Sequence, residues 1–122
     1  MNILTLEMLE VQCDYWQNRL RLNSWDISIG ICRQSEFTNK NAQGEVDYDI
    51  ATGKAIIRIL DPVDYPEGPF EQDMEVTLVH ELLHLHFSAF EPEDGTLAST
   101  LMERTIERLA NTLVGLKREV MP

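Results

Sequence analysis

The period of the apolar positions changes several times along the chain, and each change marks an element. Leu6, Leu9, Cys13, Trp16 and Leu20 recur at spacings of three and four, which puts one apolar stripe on a helix over about Thr5 to Leu22. Asn23-Ser24 is a stop signal. Trp25, Ile27, Ile29 and Ile31 then alternate with Asp26, Ser28 and Gly30, the period of a strand with one buried face. Gln34 to Gly44 is polar and reads as a loop. Glu45 to Ile50 is a second, weaker strand, and Lys54 to Leu60 (KAIIRIL) is a third and the most apolar. Thr52-Gly53 between them reads as a hairpin turn. Pro62, Pro66, Gly68 and Pro69 exclude a helix or a central strand from Asp61 to Pro69, which leaves a connector.

A second helix is expected from Phe70 to Phe90, with Glu71, Asp73 and Glu75 in its first turns, where acids complement the helix dipole. Glu91-Pro92-Glu93-Asp94-Gly95 breaks the chain. Thr96 is the N-cap of a last helix running to about Glu119. The pattern predicts an α+β fold: an N-terminal helix, a small three-stranded and mostly antiparallel sheet, and two further helices. Trp16 and Trp25 are expected in the core, at the junction of the first helix and first strand.

Length and composition narrow the function classes. The 122 residues suit one domain with a single core. Twenty-one acids against ten Lys and Arg give a net charge of −11, which disfavours nucleic acid and anionic membrane surfaces and is compatible with a neutral or basic polypeptide partner. There is no run of about 18 apolar residues to span a membrane. The first residues carry no basic start, and Glu7 and Glu10 follow at once. That is unlike a secretory signal and points to the cytoplasm. Cys13 and Cys32 are widely spaced and form no CxxC, so both read as buried thiols in a reducing compartment.

The candidate chemistry lies in His80-Glu81-Leu82-Leu83-His84. Two histidines four apart share one helix face, so both imidazoles can reach one metal ion. Glu81 lies about 100° around the wheel, able to lean toward an open coordination position without being a ligand. Two ligands and one general base are the mechanics of HExxH, and zinc is the ion that suits them. A zinc hydrolase needs a third protein ligand. His86 points about 200° away from His84 and cannot share the ion. The last helix offers Glu103 and Glu107 on one stripe. If the two helices pack antiparallel, Glu103 lies level with His84 and Glu107 with His80. Spacing alone does not choose between them.

HELLH followed by Glu107-Arg108-Leu109-Ala110-Asn111 resembles the gluzincin metallopeptidases, in which a Glu ligand is followed four residues later by Asp or Asn. In a small chain the pair of motifs more closely resembles the minimal, ImmA/IrrE-like members. The resemblance covers about Glu75 to Gly115 in motif and only the order of elements before that. Thr112, Leu113 and Val114 depart from the aromatic and small residues that often follow there. The resemblance implies a single zincin-like metallopeptidase domain over residues 1–122, with Glu107 as third ligand of one zinc ion. It also implies Asn111 as the partner whose carbonyl accepts the Nδ1–H of His80. Glu103 is the runner-up ligand.

These readings lead to hydrolysis of a peptide bond by a metal-activated water, with Glu81 as general base and a polypeptide substrate extended along an exposed edge of the Glu45–Leu60 arm. Tyr48, Tyr65 and His86 are candidates, by residue type only, for a donor opposite the ion. The alternative is a non-catalytic zinc-binding regulatory or protein-interaction module. Such a module has no use for a base at Glu81.

Overall fold

The computed structural model describes residues 2–121; positions 1 and 122 of the expected single domain lie outside the described residues. Three helices and a mixed three-stranded sheet form an α+β fold. In chain order these are α1 (Leu6–Arg19), β1 (Asp26–Cys32), β2 (Gly44–Asp49), β3 (Lys54–Leu60), α2 (Met74–His86) and α3 (Leu97–Val120), with short 3-10 turns at Gln34–Glu36 and Pro62–Asp64.

Local chemistry sets the ends of the helices. The Thr5 side chain caps α1 by accepting from the Met8 N–H. The helix closes earlier than its apolar stripe suggests, because Arg21 turns into the left-handed region (φ 60°). There the Leu22 N–H donates to the Gln17 carbonyl. α2 is shorter than Phe70–Phe90 at both ends. Asp73, not Phe70, caps it, its side chain accepting from the Val76 N–H, and at the other end the Phe87 N–H donates to the His84 carbonyl. Thr96 caps α3 as expected, accepting from the Ser99 N–H.

The sheet order is β1-β3-β2. β2 and β3 form the expected hairpin, closed by Gly53 at φ 71°, a conformation glycine adopts without a Cβ penalty. β1 pairs with β3 in parallel, from Asp26↔Lys54 to Cys32↔Leu60. This corrects the expectation of a mostly antiparallel sheet. The chain leaves β1, crosses to the far side of β3 to lay down β2, and only then returns as β3. β3 is therefore central, and β2 is an edge strand with one side unpaired.

α2 is buried along nearly its whole length, because the sheet and α1 cover one side and α3 the other. Leu9, Cys13 and Trp16 from α1, Ala55, Ile57 and Ile59 from β3, and Ile106, Ala110 and Val114 from α3 pack around Leu78, Val79, Leu82 and Leu85. Trp25 packs only partly buried at the edge of this core. Cys13 is buried, and burial pushes its thiol up to about 11. Cys32 is only half-buried, which corrects its reading as a core thiol: it shares the face of β1 with Gly30, opposite the one from which Ile27, Ile29 and Ile31 pack on the core.

One polar cluster inside this core sets the register of α3. Glu75, 7% exposed, accepts from Trp16 Nε1 at 2.7 Å and from Lys117 Nζ at 2.6 Å. The Lys117 ammonium also lies 4.7 Å from the Tyr15 ring centroid. Two residues earlier, at the N-cap of α2, Asp73 accepts two hydrogen bonds from Arg118. These contacts hold α3 antiparallel to α2 at a fixed height. Removing one partner of a buried pair strands the other charge. Lys117→Met is expected to lower unfolding free energy by about 3–5 kcal/mol in denaturant titrations. Adding Glu75→Gln should restore much of that loss. A loss below about 1 kcal/mol for Lys117→Met would contradict a register-setting role for the pair.

Candidate metal centre

The antiparallel register brings one turn of α3 against one turn of α2. His80 and His84 stack along α2 with ring centroids 5.2 Å apart. Glu103 lies between them, one carboxylate oxygen 3.0 Å from His80 Nε2 and the other 2.9 Å from His84 Nε2. His80, His84 and Glu103 each present one ligand atom within 4.8 Å of the others, close enough to hold a metal ion. Two imidazole nitrogens and one carboxylate oxygen are the donor set of a three-ligand zinc site with an open position, so the residues fit the ion that the motif implies.

Glu107 differs from its expected place. It faces the other nitrogen of His80, with Oε1 2.9 Å from Nδ1, and stands outside the convergent group. Glu103 reaches both histidines because it projects between their levels, whereas Glu107, one turn further along α3, meets only the back of His80. Asn111 is displaced in the same way. Its amide donates to the carbonyl of Glu107 at 2.9 Å and to its Oε2 at 3.1 Å. It does not accept from His80, because the Glu107 carboxylate already occupies Nδ1. Asn111 steadies Glu107, and Glu107 steadies His80.

The Nδ1 of His84 is taken by Glu91 Oε1 at 2.6 Å. No motif in the sequence pointed to Glu91, which lies in the breaker segment after α2. All four ring nitrogens therefore face a carboxylate oxygen of Glu91, Glu103 or Glu107, and Glu81 takes none of them. Glu81 is 7% exposed and lies under the start of β2. A Cβ on Gly44 would stand 3.0 Å from Glu81 Oε2 and collide with Thr77. Only glycine lets the strand approach the helix this closely.

The site opens into a cleft of about 810 Å3 bordered by β2 (Gly44, Glu45, Val46 and Tyr48), α2 and α3. Seven carboxylates line it, from Glu45, Glu71, Asp73, Glu81, Glu91, Glu103 and Glu107, and no Lys or Arg does. Of the three donor candidates, Tyr48 lines this cleft. Tyr65 also borders the cleft, but its hydroxyl donates to the Phe70 carbonyl. His86 bonds the Leu20 carbonyl through Nε2, on the side facing α1.

Electrostatics follow from this packing. Burial opposes a charge on His80, but hydrogen bonds to Glu103 and Glu107 and the charge of Glu81 outweigh it and raise its pKa to about 10. His84 is raised in the same manner, against burial, by Glu103 and Glu91. Hydrogen bonds to both histidines hold Glu103 far below the usual carboxylate range. Burial pushes Glu81 the other way, up to about 7, against the pull of His80 and His84. Burial first, and the Glu91 charge second, raise the Tyr48 phenol.

The raised value of His80 has a measurable sign. Its pairing stabilises the metal-free protein fully below its ordinary value of 6.5, and that stability is lost as pH rises through about 10. Burial of Glu81 acts in the same direction: with its value raised from 4.5 to about 7, stability is lost as pH rises across that interval. A metal ion, by contrast, needs the histidines deprotonated and gains affinity as pH rises. The zinc-induced rise in Tm is therefore expected to grow between pH 6 and pH 9, read by thermal melts with and without one equivalent of zinc. A shift that shrinks with pH would contradict this electrostatic account.

Among the described residues, no helix is long and apolar enough to cross a membrane. No protein-family model, curated protein or solved structure matches the chain.

Proposed function

We propose that the chain is a zinc-dependent metallopeptidase of the gluzincin kind. The observation that carries this reading is the convergence of His80, His84 and Glu103 at the floor of an open cleft, with a buried carboxylate, Glu81, beside them and outside the ligand group. His80, His84 and Glu103 would hold the ion, with Glu103 in the place that the motif resemblance gives to Glu107. When bound there, the ion would polarise the scissile carbonyl and lower the pKa of a water.

The protein's own groups supply the rest. Glu81 takes the proton of the attacking water and delivers it to the leaving amine. Glu107 holds His80 by Nδ1, which directs Nε2 toward Glu103. The unpaired edge of β2 runs along the cleft, and an extended polypeptide gains main-chain hydrogen bonds by adding to such an edge. Tyr48, on that strand and facing the same cleft, is the candidate donor to the developing oxyanion. Two cysteines outside any disulfide suit a reducing compartment, and we place the enzyme in the cytoplasm on that ground.

Elemental analysis of protein purified without metal-affinity resin, followed by cleavage of a quenched-fluorescent peptide library, tests the proposal. The expected result is one zinc per chain and cleavage that a chelator removes and zinc restores. Zinc uptake without any cleavage would favour a non-catalytic zinc module, and no uptake on titration would overturn both readings.

A further inference from the structure

We infer that Glu91 is a positioning residue of the metal centre, orienting His84 from the connector between α2 and α3 as Glu107 orients His80 from α3. The inference rests on the metal reading above and concerns a residue outside the HExxH motif and outside α3.

The geometry is specific. α2 ends at His86, and the chain turns through Phe87, whose carbonyl accepts from the Phe90 N–H at 2.8 Å. This turn brings residue 91 back beneath residue 84. The Glu91 carboxylate then lies 2.6 Å from His84 Nδ1, the shortest of the carboxylate approaches to the two rings. The pair is sheltered, with side-chain exposures of 11% for His84 and 29% for Glu91. Pro92 follows at once, and a following proline restricts the backbone of the residue before it to extended conformations.

The physical effect is on the nitrogen that Glu91 does not touch. A carboxylate accepting the Nδ1–H fixes that tautomer and leaves the Nε2 lone pair free. It also holds the ring plane and makes Nε2 a better donor. His84 Nε2 faces Glu103, so the ring is already aimed at the convergent point. With Glu107 on His80, each histidine is braced from behind by its own carboxylate, one on a helix and one on a connector. Partners of this type are worth about 10–100-fold in metal affinity.

Zinc affinities of the wild type, Glu91→Ala, Glu91→Gln and Asp94→Ala, measured by competition with a chromophoric chelator, test the assignment. Asp94 is an exposed acid of the same connector and controls for the loss of one negative charge. Glu91→Ala is expected to weaken zinc binding about 10–100-fold, and Glu91→Gln, which keeps an acceptor oxygen, to recover part of that loss. Asp94→Ala should stay within about twofold. Cobalt-loaded Glu91→Ala should also show shifted ligand-field bands, which a purely structural role would leave in place. Wild-type zinc binding with Glu91→Ala and Glu91→Gln both within about twofold of it would overturn the assignment alone. Absence of zinc uptake by the wild type would overturn the metal reading with it. If Glu91→Ala does not fold, Glu91→Gln and its cobalt spectrum decide.

Discussion

Glu81→Gln is expected to keep one zinc per chain and to lose the proposed peptide cleavage by about 10²–10⁴-fold, the range for removal of a general base. The substitution preserves the size of the side chain, which matters because Gly44 leaves only 3.0 Å between Glu81 Oε2 and the position a Cβ would take. An amide fits there but cannot accept the proton of a water. None of the four ring nitrogens of His80 and His84 is paired with Glu81, so the donors to the ion are untouched. The variant also removes the cost of ionising a buried acid, and its thermal stability should equal or exceed that of the wild type above pH 7. Metal content and kcat are read on the same preparation. Full zinc content with unchanged kcat would refute Glu81 as the base.

Glu103→Ala is expected to lose zinc affinity by on the order of 10²–10³-fold, more than Glu107→Ala. The estimate follows from zinc binding worth about 10–16 kcal/mol shared over four ligands, or several kcal/mol each. Glu103 faces Nε2 of both histidines, so its loss opens the convergent group. Glu107→Ala removes a brace from Nδ1 of His80, and such a loss costs about 10–100-fold. Chelator competition gives both constants. A larger loss for Glu107→Ala would return Glu107 to the ligand position that the motif resemblance implies.

The contrast between these two glutamates shows where sequence reading stops. His80 and His84 are legible because four residues on one helix fix their mutual position. Glu103 and Glu107 are also four apart on a helix, but which of them meets the histidines depends on the height of α3 against α2. That height is set by Glu75 with Lys117 and by Asp73 with Arg118, pairs 42 and 45 residues apart. No local pattern encodes them. Glu91 was illegible for a related reason: a breaker segment signals where a helix ends, not which way its side chains return.

The sheet divides in the same manner. KAIIRIL was bounded correctly at Lys54–Leu60, since an uninterrupted apolar run between turn signals is a local feature. Its parallel pairing with β1 is a matter of chain path. Alternation in β1 shows which face is buried and says nothing of the direction of its neighbour. Thr96 as cap of α3 was legible because capping is a contact within three residues. The ends of α2 were not, because apolar Phe70 and Phe90 extend the pattern beyond the residues that the Asp73 cap and the Phe87 turn leave inside the helix.

The central claim is that one ion binds where His80, His84 and Glu103 converge. An anomalous difference map at the zinc edge, from crystals of zinc-loaded protein, tests it most directly. The account predicts one peak at about 2.0–2.2 Å from His80 Nε2, His84 Nε2 and a Glu103 carboxylate oxygen, with Glu107 and Glu91 on the two Nδ1 atoms. A map with no peak there, or with Glu107 bonded to the ion and Glu103 turned away, would contradict it.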